Sequence, residues 1–397
     1  MIRLGVVGFG GRVSGVINGV LTKLDTEVSV TGIVDPQVAE ATARLREEDR
    51  DGVVFYDTLD ELVRKGKVDA LVIGTRCPLH TPYAIQAAQY DLPLFLEKPV
   101  SISMEQALAL EAAFTDSRCP VVVSFPLRVS PICEMTRQLL DEGAVGKPVH
   151  VLGINYVNYG TIYFDCEVYR HYDSTQGLFL QKATHDLDYL SYLMDSPITR
   201  VAAMAVQGRV FGGDKPSGLR CSTCAEARSC QESPHNRRRN GSSLWADDDH
   251  FCSFSVDCGS PAEGMNEDAS SALLEFASGA QGVYTQVFFT RRDAGHRGAT
   301  VSGYHGTVSF DWSTNTIQRV RHHAPFSDVI TGGASEGHGG GDHELCRDFL
   351  DLIHHRGASR TPIWLGLQSV YTCLAAKASA ETGSFVNVRQ VGAVVCG

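Results

Sequence analysis

A glycine turn lies where the chain first leaves an apolar segment. Gly8 ends the apolar run Leu4–Gly8, and two more glycines follow before a segment with helical spacing. A tight turn at the first glycine needs a positive φ, and a glycine two residues later lets a pyrophosphate approach the backbone. The helix that follows offers free N–H groups and its positive end to phosphate oxygens. The predicted cofactor-binding residues of this turn are Gly8, Gly10, Gly11, Arg12 and Val13, with Val13 standing where the motif has glycine or alanine.

An acidic residue follows the second apolar run. Asp35 comes directly after Val28–Val34 and stands 25 residues beyond Gly10. A carboxylate at this place accepts hydrogen bonds from a ribose diol and repels a 2′-phosphate. The next residues, Pro36 and Gln37, include no arginine that would bind that phosphate. The sequence therefore favours NAD over NADP, and a glycine turn without a ligand is the alternative interpretation.

Two later segments place polar side chains at strand ends. The loop Thr75–His80 follows the apolar run Ala70–Gly74, and a Glu-Lys pair follows Leu92–Leu96. In a parallel sheet these carboxyl ends share the edge where ligands bind. Charge at a buried strand end is costly unless something there uses it, although an ordinary surface pair is the alternative. The predicted cofactor-binding residues here are Thr75, His80, Glu97 and Lys98.

The elements that must position these residues alternate between predicted β-strands and predicted α-helices. Apolar runs of strand length are separated by segments with helical spacing, which is typical of βαβ units and a parallel sheet. The predicted strands are Leu4–Gly8, Val28–Val34, Ala70–Gly74, Leu92–Leu96 and Val121–Ser124. The predicted helices are Val13–Lys23, Val38–Glu47, Leu59–Lys65, Pro82–Gln89 and Met104–Phe114. We therefore predict an α/β fold with a doubly wound parallel sheet in a first domain over residues 1–125.

A histidine at a predicted helix start could carry acid–base chemistry. Oxidation of a secondary alcohol needs a base for the hydroxyl proton while hydride leaves the carbon, and histidine titrates near neutral pH. His185 follows Thr184, a plausible N-cap, and a helix N-terminus favours the neutral imidazole that a base needs. Asp188 could hold the ring's tautomer or be a surface partner. A purely structural histidine is the alternative.

Together these motifs resemble the Gfo/Idh/MocA family of NAD(P)-dependent oxidoreductases. The similarity rests on the glycine turn, Asp35, the loop Thr75–His80 and the sequence Glu97-Lys98-Pro99, and it continues through Gln181–Asp188 and Gly339–Asp342. It covers the chain from Ile2 to about Val388. The resemblance implies an N-terminal Rossmann domain followed by an α/β domain with a large open, mostly antiparallel sheet. The second domain would span residues 126–397, with a last helix returning toward the first.

The second half of the sequence is compatible with that architecture. Its predicted strands are Val149–Asn158, Arg200–Val206, Ser271–Ala277, Gly282–Phe289 and Ala299–Phe310. Its predicted helices are Glu134–Glu142, His185–Met194, Glu344–His354 and Gln368–Glu381.

The resemblance also implies roles for individual residues. Lys98 would bind the reacting oxygen beside the nicotinamide, and His185 matches the family's catalytic histidine. Many members have an aspartate four residues before that histidine, where this chain has Gln181, which cannot ionise. Lys182 either contacts a substrate hydroxyl or carboxylate or pairs structurally with Asp186. The predicted catalytic residues are Lys98, Lys182 and His185, and the predicted substrate-binding residues are Arg128, Tyr156, Lys182, His185 and Asp188.

Five of the 12 cysteines cluster in an insertion over about residues 212–268. Three thiolates with a fourth cysteine or histidine are chemically reasonable ligands for a structural zinc ion, and a polar loop of this length needs a cross-link. Reduced thiols, a disulfide or an iron–sulfur cluster are the alternatives, and a disulfide is the least expected in the cytosol. The predicted zinc ligands are Cys221, Cys224, Cys230 and Cys252.

The composition bounds the partners of the chain. The 397 residues are 43% hydrophobic and carry a net charge of −11, which fits a folded protein and disfavours a general nucleic-acid or acidic-membrane binder. No apolar run is long enough for a transmembrane helix, and the N-terminus lacks the layout of a signal peptide. We therefore expect a cytoplasmic protein without nucleic-acid or membrane partners, and the family resemblance implies a homo-oligomer, either a dimer or a tetramer.

Three functional hypotheses follow. The leading one is an NAD-dependent dehydrogenase that transfers hydride between the nicotinamide and a secondary hydroxyl or ketone of a sugar, sugar derivative or cyclitol. The second is an NAD-dependent glycoside-cleaving enzyme that oxidises the sugar transiently around an elimination. The third is a non-catalytic regulator that senses NAD or a sugar. Lys98 and His185 argue against the regulator, because a sensor needs no base beside the nicotinamide.

Overall fold

The computed structural model describes residues 1–239, 249–258, 264–333 and 337–392. The chain divides into two compact units. The first unit consists of residues 1–134, 334–371 and 390–397, and the second of residues 135–333 and 372–389.

The first unit contains a six-stranded sheet whose strands all run parallel. The spatial order is β3-β2-β1-β4-β5-β6, as in a doubly wound fold. Most of its strands are continuously apolar because helices cover both faces. The strands are β1 Ile2–Val7, β2 Val28–Val34, β3 Val54–Phe55, β4 Ala70–Ile73, β5 Leu94–Leu96 and β6 Val121–Val123. The predicted fold class of this region is confirmed.

Helices connect these strands. The first, α1 Gly11–Val16, continues through a π-helical turn, Ile17–Leu21, into the short helix Thr22–Leu24. The others are α2 Val38–Arg44, the short helix Glu47–Arg50, α3 Leu59–Gly66, α4 Cys77–Ala87, α5 Met104–Thr115 and α6 Pro131–Asp141. Side-chain caps begin two of them, since Thr58 and Ser103 accept hydrogen bonds from the backbone N–H groups of Glu61 and Gln106.

The start of helix α4 differs from the prediction. Helix α4 begins at Cys77 rather than at Pro82, so part of the predicted loop Thr75–His80 is helical. A proline inside a helix removes the hydrogen bond to the carbonyl four residues earlier, which here belongs to Pro78. The side-chain amide of Gln106 donates to that carbonyl at 3.0 Å. A contact from another helix thus satisfies the acceptor that Pro82 leaves open.

The second unit contains a nine-stranded sheet in the order β14-β13-β12-β11-β7-β10-β9-β8-β15. Only β7 and β10 pair in parallel among these neighbours, so the predicted mostly antiparallel sheet is confirmed. The strands are β7 Pro148–Tyr156, β8 Ile198–Val206, β9 Ala269–Phe276, β10 Gln281–Val287, β11 His296–Gly303, β12 Gly306–Asp311, β13 Thr316–Arg321, β14 Phe326–Thr331 and β15 Val386–Asn387. The single strand predicted over Ala299–Phe310 is a hairpin of β11 and β12, because Tyr304 and His305 form its turn.

One face of this sheet carries helix α7, Ala183–Met194. A Cβ atom on Gly153 of β7 would lie 2.7 Å from Leu190, so the glycine allows the helix to lie close to the strand. The short helices Ile162–Asp165, Tyr172–Thr175 and Leu178–Gln181 precede α7, and α8 Gly341–Ile353 and α9 Ile363–Thr382 follow later in the chain.

The predicted insertion over residues 212–268 is mostly irregular. Its described parts contain two 3₁₀ turns, Cys221–Thr223 and Val256–Cys258, and the short helix Pro234–Arg239. Arg237 forms a buried salt bridge with Asp165, which attaches the insertion to the rest of the second unit, and a second one with Glu232 inside the insertion. The rest of the predicted insertion, residues 240–248 and 259–263, lies outside the described residues.

Candidate active site

The glycine turn of the first unit has the geometry that a dinucleotide needs. Gly8 has φ +82°, and a Cβ atom there would lie 2.8 Å from the Thr75 backbone, so no other residue fits. A Cβ atom on Gly10 or Gly11 would meet no atom within 4 Å. The backbone at the start of α1 is therefore open to a ligand on the side where a pyrophosphate would approach.

Val13 occupies the place where the motif has a small residue, and the structure shows why it fits. A Cβ atom on Gly74, at the end of β4, would lie 2.0 Å from a methyl carbon of Val13. The third glycine of the motif normally allows the helix to pack closely against the sheet. Here Gly74 provides that space from the strand side, so the departure from the motif leaves the packing intact.

Asp35 is held in place by the turn itself. Its Oδ2 accepts a hydrogen bond from the backbone N–H of Phe9, and its Oδ1 accepts one from Gln37, both at 2.8 Å. The side chain is half-buried. A carboxylate has about four acceptor positions, so both oxygens can still accept from a ribose diol.

Arg12, a predicted cofactor-binding residue, pairs with carboxylates of its own unit. Its guanidinium donates to Glu97 at 3.0 Å and to both oxygens of Asp342 at 2.9 and 2.6 Å. Burial alone would raise the pKa of Asp342, but hydrogen bonds from Arg12 and His338 hold it well below its usual range. Ser124 donates to Glu97 at 3.0 Å. This network joins the glycine turn to the end of β5 and to α8.

His80, also predicted to bind the cofactor, links two backbone segments. Its Nδ1 and Nε2 lie 2.8 and 3.0 Å from the carbonyl oxygens of Pro99 and Thr75. Burial lowers the pKa of His80, which favours the neutral ring. His80 therefore fixes the Thr75 segment relative to Lys98 and Pro99. Lys98 itself is half-buried and lies two residues beyond the end of β5.

In the second unit, the start of α7 buries an unusual set of polar side chains. Lys182, His185 and Asp188 are each 5–6% exposed, and Asp186 is fully buried. The helix begins at Ala183, so Thr184 is its second residue and not the predicted N-cap. His185 and Asp188 are three residues apart and lie on one side of the helix. Four buried polar residues at one helix start are costly unless each is paired or used.

Asp186 is the centre of a network that the sequence did not reveal. It accepts hydrogen bonds from Asn155 and Tyr284, each at 3.0 Å, and from Arg297 at 2.9 and 2.8 Å. Burial lowers the pKa of Arg297, but the adjacent Asp186 carboxylate raises it above its usual range. The alternative in which Lys182 pairs with Asp186 is therefore wrong. The partners come from β7, β10 and β11, and no local pattern connects residues so far apart in sequence.

Lys182 contacts tyrosines instead. Its ammonium group donates to the phenol oxygen of Tyr159 at 2.7 Å and lies 4.9 Å from the centre of that ring and 6.0 Å from the ring of Tyr163. Burial raises the pKa of Tyr159, but the charges of Lys182 and Arg297 outweigh it and lower the pKa below its ordinary value. Tyr159 is a candidate site residue that the sequence analysis missed.

Of the remaining predicted substrate residues, Tyr156 lies apart from this cluster. Tyr156 is 37% exposed at the end of β7, and its neighbour Asn155 points inward to Asp186. Since successive side chains on a strand face opposite sides, Tyr156 lies on the sheet face away from α7. The structure thus does not bring Tyr156 together with His185. Arg128 follows β6 in the first unit and is half-buried.

The four predicted zinc ligands line one small cavity together with His250. The Sγ atom of Cys221 lies 3.8 Å from each ring nitrogen of His250. Burial and the neighbouring thiols raise the pKa of Cys221 to about 12, which favours the protonated thiol. Within residues 1–239, 249–258, 264–333 and 337–392, no group of three or more His, Cys, Asp or Glu side chains is placed to hold a metal ion. The structure therefore does not support the predicted zinc site.

Comparisons with known proteins identify the family. A family model described as "Oxidoreductase family, NAD-binding Rossmann fold" matches residues 2–125, and one described as "GFO/IDH/MocA C-terminal domain" matches residues 134–309. The chain therefore belongs to the Gfo/Idh/MocA family of oxidoreductases. This result confirms the resemblance that the motifs indicated, and with it an oxidoreductase built on an NAD-binding Rossmann domain.

Individual relatives are distant. The chain is 22% identical over 370 residues to YteT of Bacillus subtilis (strain 168), which is named only as an oxidoreductase, covering 84% of this chain and 85% of that protein. It is 27% identical over 151 residues to the scyllo-inositol 2-dehydrogenase (NAD(+)) of the same organism, covering 38% of this chain and 42% of the relative.

A solved structure shares the fold along nearly the whole chain. Levoglucosan dehydrogenase in complex with NADH and levoglucosan superimposes with a TM-score of 0.75 at 17% identity, covering 98% of this chain and 100% of that one. Among the described residues, no helix has the length and apolar character needed to cross a membrane.

Proposed function

We propose that this protein is an NAD-dependent dehydrogenase that transfers hydride between a secondary hydroxyl or ketone of a sugar, sugar derivative or cyclitol and the nicotinamide. The observation that carries the proposal is the buried polar start of α7, where Lys182, His185 and Asp188 are each at most 6% exposed. A family member with an NAD-binding domain has a use for such residues in binding and deprotonating a hydroxyl. Relatives named for inositols and levoglucosan support a polyol substrate.

Several of the predicted site residues have a role in this proposal. Gly8, Gly10 and Gly11 accommodate the pyrophosphate, and Asp35 accepts from the ribose diol, which favours NAD over NADP. When bound, NAD supplies the hydride acceptor. Lys98 donates a hydrogen bond to the reacting oxygen, and His185 takes the hydroxyl proton during oxidation and returns it during reduction. Asp188 supports His185 from one helical turn away.

The test is a turnover assay with a panel of polyols. The purified protein is mixed with NAD⁺ or NADP⁺ and with cyclitols, aldoses, anhydrosugars and glycosides. Reduced cofactor is followed by its absorbance, and released sugar by chromatography. We expect NADH with at least one polyol, and slower reduction of NADP⁺ under the same conditions. Cleavage of a glycoside without net NADH would show the transient-oxidation reaction instead, and neither product with any panel member would overturn the proposal.

A homo-oligomer is part of the same proposal. The sheet face away from α7 exposes apolar side chains, among them Met204 at 78% and Leu273 at 53%. Apolar patches of this kind are typical of interfaces between copies of a chain. Light scattering after gel filtration tests it: we expect a dimer or tetramer that Leu273→Glu dissociates, whereas a monomeric wild-type protein would contradict it.

A further inference from the structure

Lys182 is a buried cation whose surroundings do not neutralise it. Its residue is 6% exposed, and among the described residues no carboxylate lies within salt-bridge distance of its ammonium group. The nearest acid along the helix, Asp186, already accepts two hydrogen bonds from Arg297. Removing an ammonium ion from water is costly unless good partners replace the water, and cation–π contacts offset only part of that cost. The remaining compensation must come from Tyr159 or from a ligand.

Tyr159 is the half of this pair that a ligand can reach. Its side chain is half-buried, whereas Lys182 and Tyr163 are buried. The neighbouring Gly160 packs against the residue that follows β10, since a Cβ atom there would lie 2.2 Å from the carbonyl oxygen of Phe288. A phenol oxygen held at a constant place and polarised by an ammonium group is a strong partner for another oxygen atom.

Opposing effects act on the Tyr159 phenol, and the positive charges outweigh the others. Lys182 and Arg297 favour the ionised phenol, while burial and the Asp186 carboxylate oppose it, and the balance lowers the pKa of Tyr159. The neighbouring Tyr163 shows the opposite behaviour, because burial and Tyr159 raise its pKa well above the ordinary value. Two tyrosines beside one lysine therefore differ in chemistry, and only Tyr159 makes the hydrogen bond.

The position of the pair connects it to the proposed reaction. Lys182 stands three residues before His185, at the junction between the short helix Leu178–Gln181 and α7. We propose that Tyr159, held by Lys182, binds a second hydroxyl group of the polyol, next to the hydroxyl that is oxidised. This inference rests on the proposed function, and it assigns to Tyr159 a role in substrate positioning and specificity.

Steady-state kinetics of Tyr159→Phe test the role in binding. We expect KM for the polyol to rise about 10- to 100-fold, because a hydrogen bond to a charged or polarised group is lost, while kcat changes less than about threefold. Tyr163→Phe is the matched control and should behave like wild type. Unchanged KM in Tyr159→Phe, with an active wild type, would overturn the inference alone. A wild type without turnover on any polyol would instead contradict the proposed function.

Deoxy analogues of the accepted polyol identify the partner hydroxyl. Wild type should lose affinity about tenfold or more when one particular hydroxyl is absent, and Tyr159→Phe should no longer distinguish that analogue from the parent polyol. A merely structural tyrosine would weaken all analogues equally. Equal losses across the series would therefore contradict a direct contact.

A second measurement needs no substrate. Tyrosinate absorbance during alkaline titration of the free protein should show one tyrosine that ionises before the others. That early phase should vanish in Tyr159→Phe and move to higher pH in Lys182→Met, since the positive charge that stabilises the phenolate is gone. Circular dichroism confirms that each variant is folded. An early phase that persists in Tyr159→Phe would overturn the assignment of the lowered pKa to this pair.

Discussion

The two units both bury charged side chains, but they compensate them differently. In the first unit, Arg12 is matched by Glu97 and Asp342, so the cation and its carboxylates neutralise one another beside the glycine turn. In the second, Arg297 is matched by Asp186, whereas Lys182 has a phenol and two aromatic rings as its neighbours.

This difference distinguishes a charge that is neutralised within the protein, such as that of Arg12, from a charge that can still interact with a ligand, such as that of Lys182. A buried ion pair with complete hydrogen bonding is strongly destabilised when one partner is removed, but it has little left to offer a substrate. No carboxylate among the described residues pairs with the ammonium group of Lys182, so its positive charge is available to a ligand. In the proposed function, the first unit therefore contributes to the cofactor mainly through backbone and Asp35, and the substrate meets Lys98 of that unit and the buried side chains at the start of α7.

The largest expected effect is on kcat. His185→Asn should lower kcat about 10²- to 10⁴-fold, because it removes the proton-transferring group while keeping the polar shape. Binding of NADH, measured by fluorescence, should stay within about threefold of wild type. Turnover at the wild-type rate would show that His185 is one of the structural buried residues, and the contrast between the two units would fail.

The next effect concerns stability. Arg12→Met should lower the free energy of unfolding by about 2–4 kcal/mol, because Glu97 and Asp342 are left buried without their cation. Urea unfolding measures the loss. Arg64→Met is the control, since its salt bridge with Asp60 is exposed and should contribute less than about 0.5 kcal/mol. Equal losses for both variants would contradict a structural role for the Arg12 network.

The same network predicts a pH dependence. The pKa of Asp342 is lower in the folded state than in the unfolded chain, so its stabilisation is complete above about pH 4 and is lost as the pH falls toward the folded value. Urea unfolding at a series of acidic pH values should show a smaller decline for Asp342→Asn than for wild type. Parallel curves would show that other carboxylates govern acid stability.

A smaller effect is expected on cofactor choice. Asp35→Ser should raise KM for NAD⁺ about tenfold and increase the relative use of NADP⁺, because a ribose acceptor is lost together with the charge that repels a 2′-phosphate. Initial rates with each cofactor measure the change. Asp51→Asn, an exposed carboxylate of the same unit, serves as the control and should leave both constants unchanged.

The smallest effect distinguishes the two faces of the nine-stranded sheet. Tyr156→Phe should change kcat/KM less than about twofold, since Tyr156 lies on the face opposite to α7. The neighbouring Asn155→Leu should instead lower stability by about 1–3 kcal/mol, because Asp186 loses a buried donor. A large loss of activity in Tyr156→Phe would place the substrate on the other face.

Local patterns were sufficient for much of the fold. The run Leu4–Gly8, the glycine turn and Asp35 are adjacent signals whose meaning depends only on spacing, and each lies where the pattern predicted. The pattern was less informative for β13 and β14, which are short and bury no side chain except Ile317, so their alternation is weak. It also misplaced the start of α4, because the contact that makes Pro82 acceptable comes from a distant helix.

The sequence by itself determined the fold class, the family and the residue types available for chemistry, since these follow from periodicity and short motifs. Only the tertiary structure decided which of those residues form hydrogen bonds or ion pairs with one another. It assigned Arg12 to Asp342, Asp186 to Arg297, and Lys182 to Tyr159. Those pairs join residues up to 330 positions apart. Hydrogen bonding and charge compensation depend on the distance between two side chains in space. The spacing of residues in the sequence does not show which distant side chains folding brings together.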